Sequence, residues 1–217
     1  MSLIFYEEGV EYPHMRIDWP SGRPRMRAFL GTNQKVASMM TDFIIANTPR
    51  GHTVYFVTAS AYSFEHENMK ERLKSFGMIF EERIDSIAEV TVGIFRRHKV
   101  EKRRHFIFGS TSDKDVIAAI FDSYKLTWYG EGWPFVFFVA REEPQGWKQI
   151  IDVVSEGESI PAGLVAQSHC IMQNEFEHGI FIASSEVTRE QVEETAREIS
   201  LHLSLYLTTR SKTRAYS

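Results

Sequence analysis

Five times along this chain an apolar, strand-like run ends in small or hydroxyl residues and hands over to a helix-like segment. The junctions are Ala28-Phe29-Leu30-Gly31-Thr32-Asn33, Tyr55-Phe56-Val57-Thr58-Ala59-Ser60, Phe106-Ile107-Phe108-Gly109-Ser110-Thr111-Ser112, Phe137-Phe138-Val139-Ala140-Arg141 and Phe181-Ile182-Ala183-Ser184-Ser185. Such recurrence predicts an α/β fold: a single domain with a mixed β-sheet flanked by about five helices, and polar loops at the strand ends where ligands of such folds bind. A helix N-terminus at each junction offers free N–H groups and partial positive charge.

Periodicity places the elements. From Thr32 to Asn47, Val36, Met39, Met40, Phe43 and Ile44 fall at helical spacing, and Pro49 with Gly51 ends the helix. A strand is expected over Thr53–Thr58. A helix from about Ser63 to Phe76 follows, with Met69, Leu73 and Phe76 inward and Gly77 as its C-terminal cap. Met78–Ile84 and Ala88–Phe95 read as two strands around an Asp85-Ser86 turn, and Arg103–Phe108 as another. Ser112 and Asp115 stand at capping-box spacing before a helix bearing Val116, Ile117, Ile120, Phe121 and Tyr124. Phe135–Ala140 is a buried strand. Pro144 opens a helix carrying Trp147, Ile150, Ile151 and Val154 and ending at Gly157. Leu164–Met172 and His178–Ala183 form a hairpin around residues 173–177. In the last helix Thr188 and Gln191 form a capping box, Val187 staples onto Val192, and Ala196, Ile199, Leu203 and Tyr206 continue the buried stripe. Phe106–Val116 and Phe181–Val192 are similar, a hint of a duplicated half. The chain divides into an N-terminal strand and irregular arm over 1–26, an α/β core over 27–209 and a polar, basic tail over 210–217.

Composition narrows the class. With 43% hydrophobic and 25% charged residues, and 16 Phe among 217, the chain can bury a substantial core. A net charge of −4 gives no global attraction to nucleic acid or to an anionic membrane, so binding to either requires a local patch. The N-terminus lacks the pattern of a signal peptide, and the apolar run Trp133–Ala140 is far shorter than the roughly 20 residues that span a bilayer. Cys170 is the single cysteine, so no internal disulfide forms. The expected location is cytoplasmic, without membrane association.

The sharpest local signal is basic. Arg96, Arg97, Lys99, Lys102, Arg103 and Arg104, with His98, surround one acid, Glu101, between two strands. A hairpin there is a solvated tip that protects a sheet edge, or a cationic tip that reaches phosphates. Phe95, His105 and Phe106 flank it and could stack on bases. Ser110, Thr111 and Ser112, before Asp113, could hold an anion at a helix start, although neither a P-loop nor a GxGxxG stands in the chain. Trp128, Tyr129 and Trp133 make an aromatic loop suited to partner contact. Glu65-His66-Glu67 reads as a solvated helical face. A hairpin centred on Glu175 sets Cys170 and His178 diagonally on one face, the geometry of a nucleophilic pair.

The leading functional reading is a non-catalytic binding or regulatory module for an anionic partner, either a phosphorylated small molecule or a nucleic-acid backbone. It is engaged by the Arg96–Arg104 hairpin and by the Ser110–Asp113 loop. One rival is an enzyme acting on a phosphate ester or small polar substrate through Ser110, Asp113, Asp115 and His178. Another is an assembly module that self-associates through the Trp128–Pro134 loop or through Leu201, Leu205 and Leu207, which widen the last helix's stripe. No cofactor and no metal site is indicated.

Overall fold

The computed structural model describes residues 14–18, 41–60, 63–92, 98–123, 136–151, 161–175, 179–184, 186–198 and 202–206. Their strands are β1 (His14–Asp18), β2 (Thr53–Ser60), β3 (Phe80–Val92), β4 (His98–Thr111), β5 (Val136–Ala140), β6 (Cys170–Glu175), β7 (Gly179–Ala183) and β8 (His202–Tyr206). The helices are α1 (residues 41–46), α2 (Ser63–Ser75), α3 (Lys114–Ser123), α4 (Ala162–Ala166) and α5 (Arg189–Glu198), with a 3-10 turn at Trp147–Gln149. One eight-stranded sheet runs in the order β3-β4-β2-β5-β6-β7-β1-β8.

Every described pairing is antiparallel, which corrects the expected mixed sheet. Two physical causes mislead a reader of the sequence. The crossover β2-α2-β3 does join strands of the same direction, but β4 lies between them, so they are never neighbours. The run Val136-Phe137-Phe138-Val139-Ala140 is buried at every position, a pattern usual for parallel strands. Here it arises because the sheet centre is covered on both faces. On one face Val54, Phe56, Ile107, Phe137, Val139, Cys170, Met172 and Ile182 pack with Phe43 and Ile44 of α1, Met69 and Leu73 of α2, Val116, Ile117 and Ile120 of α3, and Val192 of α5. On the other, Val57, Phe106, Phe108, Val136, Phe138 and Ile171 pack beneath Trp147, Ile150, Ile151, Leu164 and Val165.

The connectivity repeats. In β2-α2-β3-β4-α3-β5 the spatial order is second, third, first, fourth strand, the split βαβ arrangement of a βαββαβ unit. With β1 and α1 as its opening pair, β6-β7-α5-β8 gives the same order, β6-β7-β1-β8. The sheet is therefore two βαββαβ units side by side, the first set between α1 and β6 of the second. The similar segments Phe106–Val116 and Phe181–Val192 are the equivalent third-strand-to-helix junctions of these units. β1, in the expected N-terminal arm, is an interior strand held between β7 and β8.

Local chemistry sets the element ends. α2 closes on Gly77 at φ 69, with Met78 N–H donating to Leu73 O at 3.1 Å and Gly77 N–H to Lys74 O at 2.9 Å, a Schellman cap. Phe76, expected inward, is 44% exposed because it lies past the last helical turn. α3 is capped by Asp113, one residue later than expected: Asp115 N–H donates to Asp113 Oδ1 at 2.8 Å, and Asp113 N–H to Thr111 Oγ1 at 2.9 Å. The expected box at α5 is present, Thr188 N–H donating to Gln191 Oε1 at 2.8 Å and Gln191 N–H to Thr188 Oγ1 at 3.3 Å.

Three readings change. The Asp85-Ser86 turn is a bulge within the single strand β3, where the register to β4 shifts between Ser86 and Ala88. Leu164–Ala166 belongs to α4 and not to a strand. The last helix ends at Glu198, and His202–Tyr206 is strand β8. The alternation Leu201, Leu203, Leu205, Leu207 has the period of a strand, so the surplus that widened the helical stripe belongs to a different element.

Candidate functional site

β3 and β4 form a ladder longer than the sheet that carries it. β2 pairs with β4 only from Ser60↔His105 to Val54↔Thr111, whereas β3 and β4 stay paired from Phe80↔Gly109 to Val92↔His98. Among the described residues, 98–104 of β4 thus pair with β3 alone. They make a two-stranded arm running roughly 24 Å beyond the body at about 3.4 Å per residue.

Lys99, Lys102, Arg103 and Arg104 lie along β4 in this arm, on the strand itself and not only at its tip. In the cross-strand register Arg104 lies opposite Asp85, Arg103 opposite Ser86, Lys102 opposite Ala88 and Lys99 opposite Thr91. The two acids, Glu101 and Glu89, oppose each other and not the cations. Arg103 is exposed, and Asp85 accepts from Arg83 Nε at 2.8 Å. Arg96, Arg97 and Phe95 lie outside the described residues, as do Trp128, Tyr129, Trp133 and His178.

The structure separates the two halves of the expected anion site. Ser110 and Thr111 are strand residues opposite Tyr55 and Val54, at the end of β4 away from the arm, about 24 Å from Arg103. Gly109 is a packing glycine: a Cβ there would stand 2.6 Å from Cζ of the fully buried Phe56. Thr111 and Asp113 are occupied as the α3 caps, and Ser112, Asp113 and Asp115 are exposed. A shallow groove along β3 is lined by Glu81, Glu82, Arg83, Phe108, Lys148 and Gln149, without Asp113 or Asp115.

The expected Cys170–His178 pair falls partly outside the described residues, because His178 is not among them. The hairpin register runs from Ile171↔Ala183 to Glu175↔Gly179, so the hairpin is not centred on Glu175 as expected. The Cys170 thiol is fully buried and donates to Asn47 O at 3.9 Å. Burial and the Glu186 carboxylate push it well above the usual thiol range, as expected of an inert core cysteine.

Two histidine clusters are not visible in the sequence. His66, read as part of a solvated face, is 3% exposed and faces the sheet. Its Nε2 lies 2.9 Å from Glu82 Oε2, which also accepts from Lys70 Nζ at 2.9 Å. Burial pushes the Glu82 carboxyl up, but the bonds from Lys70 and His66 outweigh it and hold the group below its ordinary value. The His105 ring sits 4.9 Å from that of His66, at the root of the arm. His105 is buried, not a stacking platform, and Phe106 beside it is a core residue. At the opposite end of the sheet the His52 and His169 rings meet edge-on at 5.4 Å, and His169 Nδ1 lies 2.8 Å from Glu186 Oε2. The His169 bond, then His169 and His52 charge and Arg141, hold the Glu186 carboxyl low against burial. Ser184 Oγ bonds His169 O and accepts from Glu186 and Val187 N–H, so its role is to fix that turn. Packing between separate elements brings these histidines together, and a linear pattern does not carry it.

The fold and the arm define an antiparallel α/β protein of two βαββαβ units with one extended, basic ribbon. Searches of protein-family models, of curated proteins and of solved structures return no match. Among the described residues, no helix is long and apolar enough to cross a membrane, and no group of three or more His, Cys, Asp or Glu could hold a metal ion.

Proposed function

We propose that this protein is a non-catalytic binding module whose β3–β4 arm engages the phosphate backbone of a nucleic acid. The observation that carries the reading is the arm: a two-stranded ribbon that continues beyond the last pairing of β4 with β2, with Lys99, Lys102, Arg103 and Arg104 along β4. Its shape favours a nucleic-acid backbone over a phosphorylated small molecule. Small ligands are held in concave pockets, while a projecting ribbon fits a groove, and the major groove of a duplex, about 12 Å wide, admits two strands. Contacts of this kind position a protein without reading sequence, which suits a chain that is acidic elsewhere.

Fluorescence anisotropy with a 24-base-pair DNA duplex and the matching RNA duplex tests this at about 50 and 200 mM salt. Binding to at least one duplex is expected, weakening as salt rises. Reversing Lys102 and Arg103 together to Glu is expected to weaken it at least tenfold and to flatten the salt slope by about 2. Absence of binding to both duplexes at the lower salt, or reversal without effect, overturns the proposal.

A further inference from the structure

We infer that His66 and His105 form an acid-released latch joining α2 to the root of the β3–β4 arm. The pair stands where the arm begins: Ser60↔His105 is the last pairing of β4 with the sheet body, and α2 lies over this point. Both rings are nearly out of solvent, at 3% and 9% exposure.

Their surroundings differ in kind. His66 has a carboxylate within bonding distance, Glu82. His105 has none, and its buried Nδ1 has no hydrogen-bond partner among the described residues. In the neutral ring the proton can sit on Nε2, which leaves that nitrogen an unmet acceptor, a tolerable state. In the cation it becomes a buried N–H with nothing to receive it, a costlier state. The other charged groups on the elements around the pair do not relieve this. Lys70 from α2 and Arg103 from β4 add positive charge. Glu82 from β3 is already shared by His66 and Lys70, and Glu67 from α2 is bonded to Lys70 at 3.1 Å. Burial, then His66, then Arg103 hold the His105 imidazole below its ordinary value, with Glu67 alone opposing.

The sign follows from linkage. A histidine kept neutral in the folded state contributes stability above its ordinary value of about 6.5, and that contribution is lost as pH falls from there toward the lower folded value. A seam that opens to release one such proton site opens about tenfold more per pH unit in that window. Glu82, also held low, loses its contribution only below the ordinary carboxylate range, so the two effects fall in separate windows.

Hydrogen exchange read by mass spectrometry at pH 7.5 and 5.5, corrected for intrinsic rates and with no nucleic acid present, tests the latch whatever the arm binds. Wild-type peptides covering Ser63–Ser75 are expected to exchange faster at pH 5.5, by up to about tenfold for one proton, while those covering Arg189–Glu198 do not change. His105→Phe and His105→Gln, paired so that one folded variant suffices, are expected to remove the acid response of α2. Equal protection of wild-type α2 at both pH values overturns the latch. So does a folded His105 variant whose α2 still opens in acid as the wild type does.

Discussion

The β3–β4 and β6–β7 hairpins occupy the same place in the two βαββαβ units, yet they are built to opposite ends. β6 and β7 are 6 and 5 residues long; β3 and β4 are 13 and 14. In the Phe106-Ile107 pair of the first unit, Ile107 lies opposite Glu82. In the Phe181-Ile182 pair of the second, Ile182 lies opposite Met172, which is fully buried. The difference follows from position. β6 is covered by β5 and can be apolar, whereas β3 stands at the edge of the sheet. An uncovered edge invites pairing with other chains, and Glu81, Glu82, Arg83, Asp85 and a bulge are the usual deterrents. The short hairpin shows how little ladder the fold needs. On the proposed function, the additional length of the other serves a task outside the fold.

Exchanging the two environments gives the largest expected effect. Met172→Glu places a carboxylate among Phe137, Ile182 and Cys170, and should cost more than about 3 kcal/mol or abolish folding. Glu82→Met, at a site 35% exposed, should stay within about 1 kcal/mol in urea unfolding. Similar losses for the two would remove the distinction between covered and edge hairpins.

Gly109 comes next. Alanine there drives a methyl into the Phe56 ring, and denaturant unfolding should show a loss of about 1–3 kcal/mol. A neutral result would mean that Phe56 has room to move and that this glycine is not a packing requirement.

The equivalent helix caps of the two units differ as well. α3 is capped by Asp113 and α5 by Thr188 with Gln191, different chemistry at matching positions. Asp113→Ala and Thr188→Ala should each lose about 1 kcal/mol in chemical denaturation. A loss at only one of them would show that the two junctions are not energetic equals.

These residues also show what a linear reading captures. The α5 box, the Gly77 cap, β2 and the buried β5 were legible because each rests on neighbours a few positions apart. The similarity of Phe106–Val116 to Phe181–Val192 was legible for the same reason, and it marks the repeat. Sheet direction was not, since a split βαβ crossover and a parallel one share one local pattern. The sequence pattern runs β8 into the last helix because His202–Tyr206 follows α5 closely and its leucines satisfy part of a helical stripe. The basic run was visible, but that it lies along a ribbon depends on where β2 stops pairing. His66 and His105 are 39 positions apart, and only the packing of α2 on β4 brings them together.

The smallest expected effect on stability belongs to the arm, and removing it separates folding from binding. Residues 86–103 are replaced by Asn-Gly, which closes Asp85 onto Arg104 with a two-residue turn. Urea unfolding and duplex binding are then measured on the same preparation. The shortened chain is expected to fold within about 1 kcal/mol of the parent, because a shorter connection costs little chain entropy, and to lose nucleic-acid binding. A shortened chain that fails to fold, or one that binds the duplex as tightly as the parent, would contradict that expectation.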